Sequence, residues 1–279
     1  MKQLDKIVQT LIINGTLTEQ PGLFYGKTGI AVFFFHYARQ TGNGLFLEYA
    51  IDLIEEIHKQ ITITVSSRYD VGLSGIGVGF EYCLQNGFIE TEDDDFFDDF
   101  DAQMYRIAMY EPYTDLSLEG GLVGWGRYFL YRLRGNGHNY SKLHEALTHI
   151  VNEISQNIMK NAVSEHEQPD VYRFFHDLSI IPEYADKYRN SLQLCMEWKC
   201  ICESDVLKLF PYMGNLQRLY VCQGSFNMNL TEEIEHEWKK WEEQDDIQTD
   251  MGLLKGVSCN ALLHLTRLNS NTVSWFNLL

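Results

Sequence analysis

Six cysteines, Cys83, Cys195, Cys200, Cys202, Cys222 and Cys259, are the strongest nucleophiles and softest metal ligands in the sequence. A thiolate both attacks and binds zinc. No Cys-x-x-Cys pair is present, however, and Cys195, Cys200 and Cys202 cluster without histidines at a zinc spacing. In a chain of 279 residues these six do not form a disulfide framework, so reduced, partly buried thiols are expected. Asp70 and Glu119, each just before a glycine-rich stretch, are the candidates for paired carboxylates of the kind that cleave glycosidic bonds. His176-Asp177 places an imidazole beside a carboxylate. Neighbours in sequence do not face each other on a helix, so a capping or core role is expected there. The run Glu90, Glu92, Asp93, Asp94, Asp95, Asp98, Asp99 and Asp101 has calcium-ligand chemistry but lacks the glycine of an EF-hand loop. Phe96, Phe97 and Phe100 interrupt it at helical spacing, which marks the solvated start of an outer helix.

Glycine loops position these groups. Asp70-Val71-Gly72-Leu73-Ser74-Gly75-Ile76-Gly77-Val78-Gly79 runs into an apolar segment, and so do Gly22-Leu23-Phe24-Tyr25-Gly26, Gly121-Leu122-Val123-Gly124 and Gly252-Leu253-Leu254-Lys255-Gly256. The first three begin about 50 residues apart, which signals one supersecondary unit stacked on its neighbours. Gly75-x-Gly77-x-Gly79 also has the look of a phosphate loop. A dinucleotide fingerprint needs a preceding strand and a later acidic residue, and a nucleotide site would not recur four times. The repeat is therefore read as architecture.

Each unit pairs a helix that is apolar all round with an amphipathic one. Ile30 to Ala38 is an inner helix, and Leu45 to Ile61 is an outer one with Leu45, Tyr49, Ala50, Leu53, Ile54, Ile57 and Ile61 on its buried face. Ile76 to Leu84 and Trp125 to Leu133 are inner helices of the next two units. The outer face after the third is Leu143, Ala146, Leu147, Ile150, Ile154 and Ile158. Beyond residue 160 the pattern weakens. Phe174 to Pro182 stands where a fourth loop belongs, Val221-Cys222-Gln223-Gly224 marks a fifth, and Thr231 is the expected N-cap of a helix through Trp238 and Trp241. The expected fold is all-α, one domain over residues 1–279, with helix pairs closed into a double-layered ring, an α/α toroid.

The net charge of −17 argues against nucleic acid and anionic membrane as partners. The apolar run Ile30 to Phe35 is far below the ~20 residues of a spanning helix, so no membrane insertion is expected. The first residues lack a signal-peptide cleavage site, and a cytoplasmic protein is expected.

These glycine loops, each leading into an apolar helix, resemble those of the lanthionine synthetase C-like (LanC-like) family. The stretches from Gly72 to Glu90 and from Ser117 to Gly126 carry the closest similarity. The resemblance implies an α/α toroid with its glycine loops at one end, lining a central cavity. Active members close thioether rings in ribosomally made peptides through a zinc ion held by two cysteines and a histidine. Val221-Cys222-Gln223-Gly224 resembles the loop of the first cysteine. Leu254-Lys255-Gly256 stands where the family has Cys-His-Gly, and neither residue replaces the missing ligands. His176 is the counterpart of a further family histidine. Cys259 and His264, in the last inner helix, are the alternative ligands. The resemblance places Tyr25, Lys27, Ser74, Trp125 and Lys255 near the cavity mouth, where Tyr25 and Trp125 offer aromatic contact for a peptide.

The resulting expectation is a LanC-like protein without its zinc site and without a cofactor. It would be a non-catalytic accessory that binds a precursor peptide or a peptide-modifying enzyme. The alternatives are a cyclase with a rebuilt metal site, or a toroid hydrolase acting on carbohydrate through Asp70 and Glu119.

Overall fold

A computed structural model describes residues 2–61, 65–90, 96–135, 140–202, 209–226, 228–242 and 250–279. Glu92 to Asp95 of the acidic run, Asn136-Gly137 and the side chain of Cys202 lie outside the described residues. Among the described residues the structure is all helical. The first half holds α1 (Lys2–Gly15), α2 (Lys27–Thr41), α3 (Gly44–Gln60), α4 (Leu73–Gln85), α5 (Asp98–Tyr110), α6 (Leu122–Arg134) and α7 (Tyr140–Met159). The second holds α8 (Gln168–Leu178), α9 (Pro182–Lys187), α10 (Arg189–Met196), α11 (Lys199–Cys202), α12 (Asn215–Phe226), α13 (Thr231–Glu242) and α14 (Val257–Leu268). A 3₁₀ helix, Ser270–Leu278, follows.

Burial divides the helices as their sequences require. Every residue from Lys27 to His36 in α2 is buried, as is every residue from Leu73 to Cys83 in α4 and from Leu122 to Arg132 in α6. α3 buries only Ala50, Leu53, Ile54 and Ile57, one stripe at helical spacing, while Leu45 of the expected face is 70% exposed and Tyr49 and Ile61 are half-buried. Leu143, Ala146, Leu147, Ile150, Ile154 and Ile158 are the buried stripe of α7. One continuous cluster of buried apolar side chains extends from Leu4 to Leu279.

The four glycine loops share one hydrogen-bond scheme. The backbone N–H groups of Lys27, Leu73, Leu122 and Val257 donate to the carbonyl seven residues earlier, at Gln20, Ser66, Asp115 and Asp250. Thr28, Ser74 and Ser258 repeat this with their hydroxyls, onto Pro21, Ser67 and Met251 at 2.6 to 2.9 Å. The equivalent glycines are thus the helix N-caps Gly26, Gly72, Gly121 and Gly256. This shifts the register read from the Gly-Leu pairs, which aligned Gly22 and Gly252 with Gly72. At Gly72 a Cβ would lie 2.1 Å from the Ser66 carbonyl oxygen, so the loop closes only without a side chain. The other glycines of the phosphate-like run serve packing: a Cβ on Gly77 would meet the Tyr128 ring of α6, and one on Gly79 would meet Thr28 of α2.

Two segments differ from the sequence expectation. Phe174 to Leu178 belongs to helix α8, and the preceding turn is built by Glu167, whose carboxylate accepts from Ser164 and Leu116 N–H groups. Cys222 lies inside α12, where Gly224 has open space around it and no loop geometry to serve. The turn before α12 uses Phe210, at φ 50°, and Gly214. Side chains do there what glycine does elsewhere, so the repeat loses its sequence mark. Thr231 opens α13, but its hydroxyl bonds the Asn229 side chain rather than capping the helix.

A buried charge network missed by the sequence reading joins α4, α5 and α6. Arg132 forks between Glu81 at 2.6 Å and Asp101 at 2.9 Å, and Tyr128 donates to Asp101 at 2.6 Å.

Candidate functional site

The turns before the inner helices are linked in a circuit of hydrogen bonds. Phe24 N–H donates to Asp70 O, and Tyr69 N–H to Glu119 O, both at 2.8 Å. Leu118 N–H donates to the Asp170 carboxylate at 2.9 Å, which also accepts from the Tyr212 hydroxyl at 2.6 Å. The Gln217 side chain donates to Leu253 O at 3.1 Å, and Leu254 N–H returns to Phe24 O at 3.1 Å. Burial holds the Asp170 carboxyl up at about 6, against the hydrogen bonds from Tyr212 and Leu118.

Three candidates meet on these turns. The Tyr25 hydroxyl donates to Glu119 at 3.4 Å, and burial followed by the charges of Glu119 and Asp70 pushes it up to about 12. Burial and then the nearby Asp70 charge raise the Glu119 carboxyl above its usual range. Asp70 is held by both arms of the Arg68 guanidinium, at 2.8 and 2.6 Å, and by Val71 N–H at 2.9 Å. A carboxylate fixed this way positions the loop.

The remaining candidates are dispersed. Lys27 joins Glu56 of α3 at 2.6 Å, directed at the outer helix. Ser74 closes its own loop on Ser67 O. Trp125 is buried in α6, and its indole N–H has no partner among the described residues. His176 lies 3.5 Å from Asp177, whose other oxygen pairs with Arg127, also at 3.5 Å. Burial opposes the Asp177 charge, yet the His176 bond and the Arg127, Arg173 and Arg134 charges together hold that carboxyl down at about 2. Lys255 adopts φ 58°, is exposed and reaches Pro211 O at 3.4 Å.

Zinc does not fit the residues present. Leu254 has no donor atom, and the Lys255 ammonium is a surface cation. Cys222 is fully buried, and burial pushes its thiol up to about 12 although the Arg173 and Arg218 charges pull the other way. Those two guanidinium groups would repel a metal cation. His264 packs its ring against Trp241 of α13 at 4.6 Å, toward the outer layer. Among the described residues no group of three or more His, Cys, Asp or Glu is arranged to hold a metal.

The interior holds a feature that the sequence did not disclose. Segment 270–279 lies among the inner helices, with Trp275, Leu278 and Leu279 fully buried. Arg173 of α8 donates to Phe276 O at 3.1 Å, and Tyr131 of α6 to Asn277 O at 2.8 Å. Arg127 of α6 also donates to Asn277 O, and Tyr69 donates to Leu278 O at 2.7 Å. Tyr82 of α4 bonds Ser274, Trp275 donates to Thr266 of α14, and Phe276 stacks on Tyr220 of α12 at 4.4 Å. Arg127 and Arg173 are polar residues within apolar helices, and that was their only signal in the sequence.

No described helix is long and apolar enough to cross a membrane. Searches of protein-family models and of curated proteins find nothing that matches this chain.

Proposed function

We propose that this chain is a divergent LanC-like protein, a single-domain α/α toroid that works in the cytoplasm as a non-catalytic binder of a peptide or of a peptide-modifying enzyme. Support for the ring comes from the circuit of hydrogen bonds that leaves Phe24 and returns to it. α2, α4 and α6, buried all round over their first ten or eleven residues, supply the inner layer, with α3, α5 and α7 outside them. The observation that carries the function is the grip of Tyr69, Arg127, Tyr131 and Arg173 on three successive main-chain carbonyls. Such donors recognise what every peptide has. Against ring closure stands the donor set itself, with Leu254 and Lys255 where a thiolate and an imidazole belong.

Metal analysis and a cyclisation assay test this together. Purified protein is expected to hold far less than one zinc per chain and to leave a dehydrated, cysteine-containing peptide unchanged. Near-stoichiometric zinc that disappears in Cys222→Ser, or thioether formation by the wild type, would reject the reading.

A further inference from the structure

We propose that segment 270–279 is a resident peptide ligand. The inner-helix wall is a main-chain binding site that this chain's own residues occupy in cis, and that accepts a free peptide of the same chemistry when they leave. The inference rests on the peptide-binding reading above and adds the occupant and its control.

Three observations carry it. The first is the mode of attachment. The last turn of a helix leaves most of its carbonyls without partners, and here donors from two inner helices and the loop before α4 reach those of residues 276, 277 and 278, the first of which also accepts from Leu279 N–H. A 3₁₀ run of nine residues is long for its kind, and external donors account for its persistence. The second is the pattern of burial. With three residues per turn, Thr272, Trp275 and Leu278 form one buried face with Phe276 and Leu279 buried beside it, whereas Val273 is 40% exposed and Asn277 is exposed. The segment therefore reaches solvent at Val273 and Asn277 and is not enclosed on every side. The third is a surplus of donors. Arg127 Nε, Arg173 Nε and Nη1 and Trp125 Nε1 are buried with no hydrogen-bond partner among the described residues. Buried polar groups are ordinarily paired, so the wall offers more donors than the resident accepts. The ligand class that follows is a short peptide with an aromatic anchor at the Trp275 position and a leucine three residues later.

Tethering decides what a free peptide can do. A segment linked directly to α14 presents itself at an effective concentration on the order of millimolar, so a free competitor below that level stays out. Cutting the link removes the advantage without removing any contact. The test inserts a specific protease site between Asn269 and Ser270 of the full chain, cleaves the folded protein, and adds a fluorescent peptide with the sequence of residues 270–279. Saturable exchange into the nicked protein is expected, with the uncut protein needing at least about 100-fold more peptide. Arg173→Gln in the nicked protein is expected to weaken binding roughly 10-fold or more, because it removes a charge-assisted hydrogen bond. A nicked protein that unfolds, or one that stays folded and takes up no peptide, would make the segment ordinary core and overturn the proposal. Zinc content and cyclisation by the uncut protein report separately on the underlying functional reading.

Discussion

Replacing Trp275 by alanine separates a docked segment from a shared core. The indole is fully buried, stacks on Phe276 at 4.1 Å and donates to the Thr266 hydroxyl at 3.0 Å. Truncating a buried tryptophan costs about 3–5 kcal/mol, through lost transfer energy and the cavity left behind. If segment 270–279 docks as its own unit, that energy comes out of the docking equilibrium alone. Its opening constant then rises by about 10² to 10³·⁵, since 1.4 kcal/mol is a factor of ten. Native-state hydrogen exchange read by mass spectrometry reports this directly. Amides of 272–279 should exchange faster by that factor, while those of α4 and α6 keep their protection. Equal loss of protection in all helices would refute the reasoning, because the segment would then unfold only with the whole.

Arg132→Met should destabilise the protein by about 3–5 kcal/mol in urea denaturation, since it leaves Glu81 and Asp101 buried without their cation. A change below about 1 kcal/mol would show that water reaches the network. Gly72→Ala should cost about 1–3 kcal/mol, the Cβ meeting the Ser66 carbonyl at 2.1 Å. Gly224→Ala, in open space within α12, should instead stabilise by about 0.5–1 kcal/mol; thermal melts of both give the contrast. Asp170 has a folded pKa of about 6, above its unfolded value, so the folded state binds the extra proton. That contribution is fully present below pH ~4 and is lost as pH rises through 6, at roughly 3 kcal/mol in total. His36, lowered to about 4 by burial and then by Arg39, works in the opposite sense by losing stability as pH falls below 6.5. The check is therefore the difference between wild type and Asp170→Asn from pH 4 to 7.5, and a difference that does not vary with pH would contradict the assignment.

Where local patterning decides structure, the sequence disclosed it. The stripes of α3 and α7 and the predominantly apolar α2, α4 and α6 follow from the hydrophobic pattern. So do the glycine loops, apart from the register fixed by Gly26 and Gly256. Legibility failed where side chains replaced glycine. Glu167 and Asp170 organise the turn that joins α8 to its neighbours, and no short-range pattern marks a carboxylate that accepts N–H groups from about fifty residues away. Cys222 took its meaning from a nearby glycine that has no structural duty. Segment 270–279 was invisible for a related reason. It spans only nine residues, too short a stretch for a period to stand out, and its partners Arg127 and Arg173 are marked only as isolated charges within apolar segments.

The most direct measurement places a photo-reactive benzoylphenylalanine at position 276 and identifies the crosslinked peptides by mass spectrometry. With Phe276 stacked on Tyr220 at 4.4 Å and its carbonyl on Arg173, crosslinks to α12 and α8 are expected. Crosslinks confined to the outer faces of α3 or α7, or none above background, would contradict an interior occupied by residues 270–279.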